Sequence, residues 1–144
     1  MPHQLNRTFL AIDYGSRRIG LAKSDPMGII ASALKTLEVK SIADALKQLS
    51  TVLDEYKPDA LVFGYPLLAS GDVSDKCREI DRFIERVGRM YNGPIHKVDE
   101  RHSSIEAAKI LHAHGKKTGT DKRRVDRLAA VVILQRFLEE NPGN

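Results

Sequence analysis

The hydrophobic pattern is sharpest near the start of the chain, where Phe9, Leu10, Ala11 and Ile12 form an unbroken apolar run that stops at Asp13. A run this short predicts a buried strand over Thr8 to Asp13 that ends on a carboxylate. A second strand is predicted over Arg18 to Ser24, reached through Tyr14-Gly15-Ser16-Arg17 in a hairpin-like connection. Asp25-Pro26-Met27-Gly28 is turn chemistry, since aspartate bonds the backbone that follows it and proline fixes the next φ. A third strand is predicted over Ile29 to Glu38.

From Ser41 onward the period changes. Ile42, Leu46, Leu49, Leu53 and Tyr56 recur at helical spacing, Ser41 and Asp44 have the spacing of a capping box, and Pro58-Asp59 ends the helix. Ala60 to Phe63, stopped by Gly64-Tyr65-Pro66, predicts a strand buried on both faces. Leu67 to Asp72 is a loop. A helix is then predicted over Val73 to Met90, with Cys77, Ile80, Ile84 and Val87 on its inner face and Asn92-Gly93-Pro94 as its breaker. Ile95 to Val98 is half polar, as for a strand near a sheet edge, and runs into Asp99-Glu100-Arg101. Ser103 and Glu106 open a further helix that ends before Gly115, and Thr120 or Asp121 caps a last helix through about Glu139.

This order specifies an α/β layer fold. Three N-terminal strands pair antiparallel, later βαβ crossovers require parallel pairing, and helices cover the resulting mixed five-stranded sheet. In such sheets ligands gather where parallel strands end. Asp13, Gly64-Tyr65-Pro66 and Asp99-Glu100 are therefore expected on one edge.

Composition adds limits. A chain of 144 residues, 42% hydrophobic and 29% charged, is expected to be one soluble domain spanning 1–144. No apolar stretch nears the roughly 20 residues of a membrane span. The opening MPHQLNR lacks the apolar core of a secretory signal. Cys77 is the sole cysteine, which excludes an internal disulfide and a thiolate metal cluster and suits a reducing cytoplasm. The net charge of +4 is confined to Gly115 to Arg124, which holds five of 23 basic residues and one of 19 acids. The remainder is neutral, so the excess points to a polyanionic partner.

A hard divalent cation needs oxygen ligands, and three acids stand where a site could form: Asp13 and Glu100 at strand ends, and Asp126 early in the last helix. Asp126 adjoins a heavily apolar segment, where an unpaired acid is costly, and Ala129 and Ala130 one turn on allow the helix to approach the sheet. Singly, each acid has a plainer role: Asp13 bonds turn amides, Glu100 caps a helix, and Asp126 complements a helix N-terminus. Together they favour a metal site.

The stretches LAIDYGSRRIGLAKSDPMGI, VFGYPL, HKVDERHSSIEA and VDRLAAVVIL resemble, in order and over nearly the whole chain, the bacterial YqgF/RuvX family of Holliday-junction resolvases. The resemblance implies an RNase H-like fold, with Asp13, Glu100 and Asp126 as catalytic carboxylates. It also implies Mg²⁺ or Mn²⁺ as cofactor and phosphodiester hydrolysis as reaction. Maturation of the 5′ end of precursor 16S ribosomal RNA is the implied role, beside the older one of cleaving branched DNA. On that basis Asp13 bridges two cations, and Glu100 and Asp126 complete their shells. Lys116, Lys117, Lys122, Arg123 and Arg124 are tethered to the helix of Asp126 and placed to hold phosphates; Arg17 and Arg18, beside Asp13, extend that track, although Arg18 reads equally as an ordinary exposed strand residue.

Two stretches depart from the family. Leu68 and Ser70 stand where it has an asparagine and an acid, and His102-Ser103-Ser104 follows Asp-Glu-Arg in place of Leu-Thr-Thr or Leu-Ser-Thr. His102 reads as an exposed polar residue before a helix rather than a proton shuttle. Phe9, Phe63 and Cys77 are core candidates, while Tyr14 and Tyr65, at the active edge, could stack on a base. An actin-like ATPase would also use a strand–Asp-x-Gly–strand hairpin, but it needs a second lobe and a second glycine-rich loop. A non-catalytic nucleic-acid-binding domain would need no acid trio. The oligomeric state, monomer or homodimer, leaves no legible mark.

Overall fold

Alternation along five strands builds a sheet with two unlike faces. The computed structural model describes residues 7–100 and 122–141. Strands β1 (Phe9–Asp13), β2 (Arg18–Ser24), β3 (Ala31–Glu38), β4 (Ala60–Tyr65) and β5 (Ile95–Asp99) are ordered β3-β2-β1-β4-β5. β1–β2 and β2–β3 are antiparallel, whereas β4 runs parallel to β1 and β5 parallel to β4. The mixed sheet is the one the sequence predicts, with β5 at its edge.

Leu10, Ile12, Ile19, Leu21, Leu61 and Phe63 pack with helices α1 (Ile42–Tyr56) and α2 (Asp75–Val87) on one face. Phe9, Ala11, Ala22, Ala60, Val62 and Val98 pack on the other face against helix α3 (Lys122–Glu140), through Ala130, Ile133, Leu134, Phe137 and Leu138. Phe9, Phe63 and Cys77 are all buried.

Where elements differ from expectation, the cause is local. β3 begins at Ala31 because the Asp25 carboxylate accepts from the backbone N–H groups of Met27, Ile29 and Ile30 at 3.2, 2.7 and 2.7 Å, which holds them in a turn. β4 continues through Gly64 and Tyr65, which pair with Val98 and Asp99 of β5. The inner face of α1 is Ala45, Leu49, Val52 and Leu53, while Ile42 is exposed. Its first turn is capped as predicted, Ser41 Oγ accepting from Asp44 N–H at 3.1 Å. Its end is set by Lys57, whose left-handed backbone (φ 45°) turns its N–H to the Leu53 carbonyl. α2 starts after Ser74, whose hydroxyl accepts from Cys77 N–H at 3.1 Å and donates to the Pro66 carbonyl at 2.8 Å. The helix expected from Ser103 and the caps Thr120 and Asp121 lie outside the described residues. Among the described residues no helix is long and apolar enough to cross a membrane.

Candidate active site

Strand periodicity decides which face the acids share. Phe9 and Ala11 face α3, so Asp13 does as well, and Gly20 of β2 is its partner in the ladder. Arg18, Gly20 and Ala22 share that face of β2, as do Ala60, Val62 and Gly64 of β4. On β5, Val98 faces α3, and Glu100 follows two residues later. Glu100 is buried, and its N–H bonds the Tyr65 carbonyl at 3.3 Å. Arg136 of α3 donates to the Asp99 carbonyl at 2.6 Å, which fixes the end of β5 against the helix.

The third acid arrives on α3. Ala129 and Ala130 are fully buried, and the helix start is tied to β3 twice: Thr36 Oγ1 donates to the Arg123 carbonyl at 2.6 Å, and Arg123 pairs with Glu38. Asp126 and Arg18 form an ion pair at 2.7 Å between Oδ2 and Nε. Asp13, Glu100 and Asp126 thus line one cleft of about 370 Å³, together with Tyr14, Gly15, Ser16, Arg17, Arg18, Pro66 and Lys76. Burial, then the Glu100 charge, hold the Asp13 carboxyl well above the usual carboxylate range, with Lys76 opposing the rise and Asp126 adding to it. Among the described residues no three acid, histidine or cysteine side chains are gathered as a ready-made metal cage. In this structure Asp126 is instead held by a guanidinium.

The profile of the family described as "RuvX: Holliday junction resolvase" matches residues 7–140. The chain belongs to the RuvX family. A relative in Dictyoglomus turgidum, named "Putative pre-16S rRNA nuclease", is 38% identical over 130 residues, covering 90% of this chain and 92% of the relative. A relative of the same name in Koribacter versatilis is 38% identical over 138 residues, covering 96% and 90%. The fold is similar to that of T. thermophilus RuvC in complex with Holliday junction substrate, with a TM-score of 0.58, 12% identity, and coverage of 95% of this chain and 97% of that one. At that identity the likeness is one of fold, and the mixed sheet of this RuvX-family chain is RNase H-like.

The other expected residues fall in different places. Arg17 is exposed on the cleft rim, while Arg18 is committed to Asp126. Lys122, Arg123 and Arg124 lie in the first turn of α3 but do not line the cleft. Lys116, Lys117 and His102 lie outside the described residues. Tyr14 is not available to a base: it is buried, with its ring 4.5 Å from that of Phe83. Tyr65 donates to Asp81 at 2.8 Å, a bond that pushes its hydroxyl up to about 12, and Lys97 lies 4.7 Å over its ring. The departing loop closes on itself through Leu68 N–H to Asp72 O at 2.8 Å and Gly71 N–H to Leu68 O at 2.8 Å, outside the cleft lining.

Three cleft features escape a reading of the sequence. Lys76, exposed on the outer side of α2, carries no periodic signal, although a helix start after a parallel strand is a position where ligands gather. Gly20 and Gly64 act as clearances. A methyl carbon at Gly64 would stand 2.5 Å from Glu100 Cδ and 2.6 Å from Ile133 Cδ1. Only a glycine lets the Glu100 carboxyl lie over β4 toward Asp13.

Proposed function

We propose that this chain, acting as one domain over 1–144, is a nuclease that hydrolyses phosphodiester bonds with Mg²⁺ or Mn²⁺ and serves in 5′-end maturation of precursor 16S ribosomal RNA. The observation that carries this reading is that Asp13, Glu100 and Asp126, from β1, the end of β5 and α3, line one cleft together with Arg17, Arg18 and Lys76. The substrate class is supported by the names of the curated relatives.

The donor chemistry fits a hard cation. The acids of the cleft offer only oxygen, and the raised proton affinity of Asp13 reflects its burial first and the neighbouring Glu100 charge next, both of which a bound cation would offset. Magnesium is held by as few as one or two protein carboxylates, which Asp13 and Glu100 supply, with Asp126 as the third. Asp13, Glu100 and Asp126 are the residues that would hold such an ion. When bound, the cation supplies a water of lowered pKa as nucleophile and positive charge at the leaving oxygen. The chain's own part is to fix geometry. The β4–β5 pairing and Arg136 hold the end of β5 beneath Glu100, Arg18 orients Asp126, and Lys76 attracts the substrate phosphate.

Cleavage of a precursor 16S RNA and of a four-way DNA junction, each with Mg²⁺, Mn²⁺ or a chelator, tests the reading. Cation-dependent cleavage of the RNA is the expected result. Undiminished cleavage in chelator would sink the cation assignment, and cleavage of neither substrate would leave a non-catalytic binding domain. Preference for the junction would favour the second reading, Holliday-junction resolution, which the family description supports.

Gly64→Ala provides a finer check. The added methyl must push both Glu100 and Ile133 aside, and a displacement near 1 Å at a reacting centre costs about 100-fold in rate. A Gly64→Ala protein with wild-type turnover would remove Glu100 from the catalytic set.

A further inference from the structure

Beside the cleft lies a second, larger depression of about 690 Å³, lined by Ser16, Arg17, Arg18, Glu38, Val39 and Lys40. It shares Ser16, Arg17 and Arg18 with the catalytic cleft, so the β1–β2 turn is the common wall of both. None of its walls belongs to the acid cluster.

Its charge is one-sided. Arg17 and Lys40 are exposed, and neither side chain has an acid partner among the described residues. Glu38, the single carboxylate among the described residues of the groove, is neutralised by Arg123, and Arg18 is spent on Asp126. Two uncommitted cations therefore line the groove, one on each of its two neighbouring segments. Their backbones are anchored: Val39 N–H bonds the Arg17 carbonyl at 2.9 Å, and Lys40 N–H bonds Asp44 Oδ2 at 2.9 Å. Such a frame orders little more than two side chains on binding, which keeps the entropic cost low. Among the described residues the lining holds no aromatic ring, and Tyr14 beside it is buried, so none of them offers a base a stacking platform. Cations without rings hold backbone rather than read sequence.

The geometry points to a flanking-phosphate subsite. Arg17 and Lys40 each take a phosphate of the nucleic-acid strand on one side of the bond held over Asp13, without regard to base identity. This assignment rests on the nuclease reading and extends it by giving the strand a path: from the cleft, over the Ser16–Arg18 turn, toward the start of α1.

The test is equilibrium binding of a fluorescently labelled precursor 16S RNA fragment, in chelator to prevent cleavage, over a range of salt. Arg17→Gln and Lys40→Gln are each expected to lower the slope of log K against log salt by roughly 0.7 to 0.9, and the double variant by about twice that. The loss should be equal for RNAs of equal length and different sequence. Lys47→Gln, exposed on α1 and outside the groove, is the charge control and should leave the slope unchanged. Wild-type binding with an unaltered slope in the double variant overturns the groove alone. Absence of salt-dependent binding by the wild type overturns the nuclease reading, and the groove with it. A sequence-dependent loss in Lys40→Gln also overturns the proposal, because a phosphate contact cannot select a base.

Discussion

Asp13→Asn is expected to lower cleavage by at least roughly 10²–10³-fold, the usual cost of one preorganised charge-stabilising group, while raising the thermal midpoint of the cation-free protein. Both effects have one origin. Burial first, and the charge of Glu100 next, hold the Asp13 carboxyl above its ordinary range. Between the ordinary carboxylate value and the raised one, the folded chain keeps a proton that the unfolded chain has released. Stability then falls as pH rises, because the native state binds more protons than the unfolded state. The loss begins near pH 4, grows through the window up to the raised folded value, and is complete above it. An asparagine has no charge to bury, so the variant escapes this decline and its advantage should widen with pH. Each kcal/mol relieved should appear as roughly 2–4 °C in midpoint. A divalent cation should reverse the order, stabilising the wild type and not the variant. Melting curves across pH, with and without Mg²⁺, measure all of this; parallel curves for the two proteins would deny that burial and the Glu100 charge raise the Asp13 carboxyl.

The positions of the three acids were legible because strand ends and a helix start are local events. An apolar run stopping at Asp13, a second running into Asp99-Glu100, and an acid beside Ala129 and Ala130 each mark a place in the fold without knowledge of the others. Other features depend on partners far away in sequence. The Arg18–Asp126 pair joins residues 108 apart, and no property of Arg18 alone separates a phosphate-holding arginine from one that orients an acid. Tyr14 follows the strand that carries Asp13 and looks placed for a substrate; Phe83 of α2, packed on its ring, decides otherwise. In α1 the sequence pattern favours Ile42, yet Ala45 faces the core, because alanine contributes little to an apolar tally and fits where a helix lies close. The glycines are the hardest case. A glycine within a strand signals a bulge, a bend or a close approach, and only the third dimension tells which.

Gly20→Ala is expected to be the most disruptive conservative change in the sheet. Gly20 pairs with Asp13 and shares its face, and α3 crosses directly above it. A methyl carbon there would stand 2.1 Å from the Asp126 carbonyl oxygen, 2.4 Å from its carbon and 3.1 Å from Arg127 N. All three are backbone atoms, so no side chain can turn aside to make room. The helix cannot drift cheaply either, because Thr36, Glu38, Arg18 and Arg136 tie it to the sheet along its length. Overpacking of this kind costs roughly 2–3 kcal/mol, which at this chain length is a fall of roughly 5–10 °C in midpoint. Gly71→Ala serves as the contrast: its strain is confined to a positive φ of 92° with open space around it, and about 1 kcal/mol is expected. The two variants should also part in Mn²⁺ binding, since a shifted α3 carries Asp126 away from Asp13 and the Gly71 loop touches neither. A Gly20→Ala protein with wild-type stability and wild-type Mn²⁺ affinity would mean that α3 does not need contact with β2 to bring the third acid to the other two.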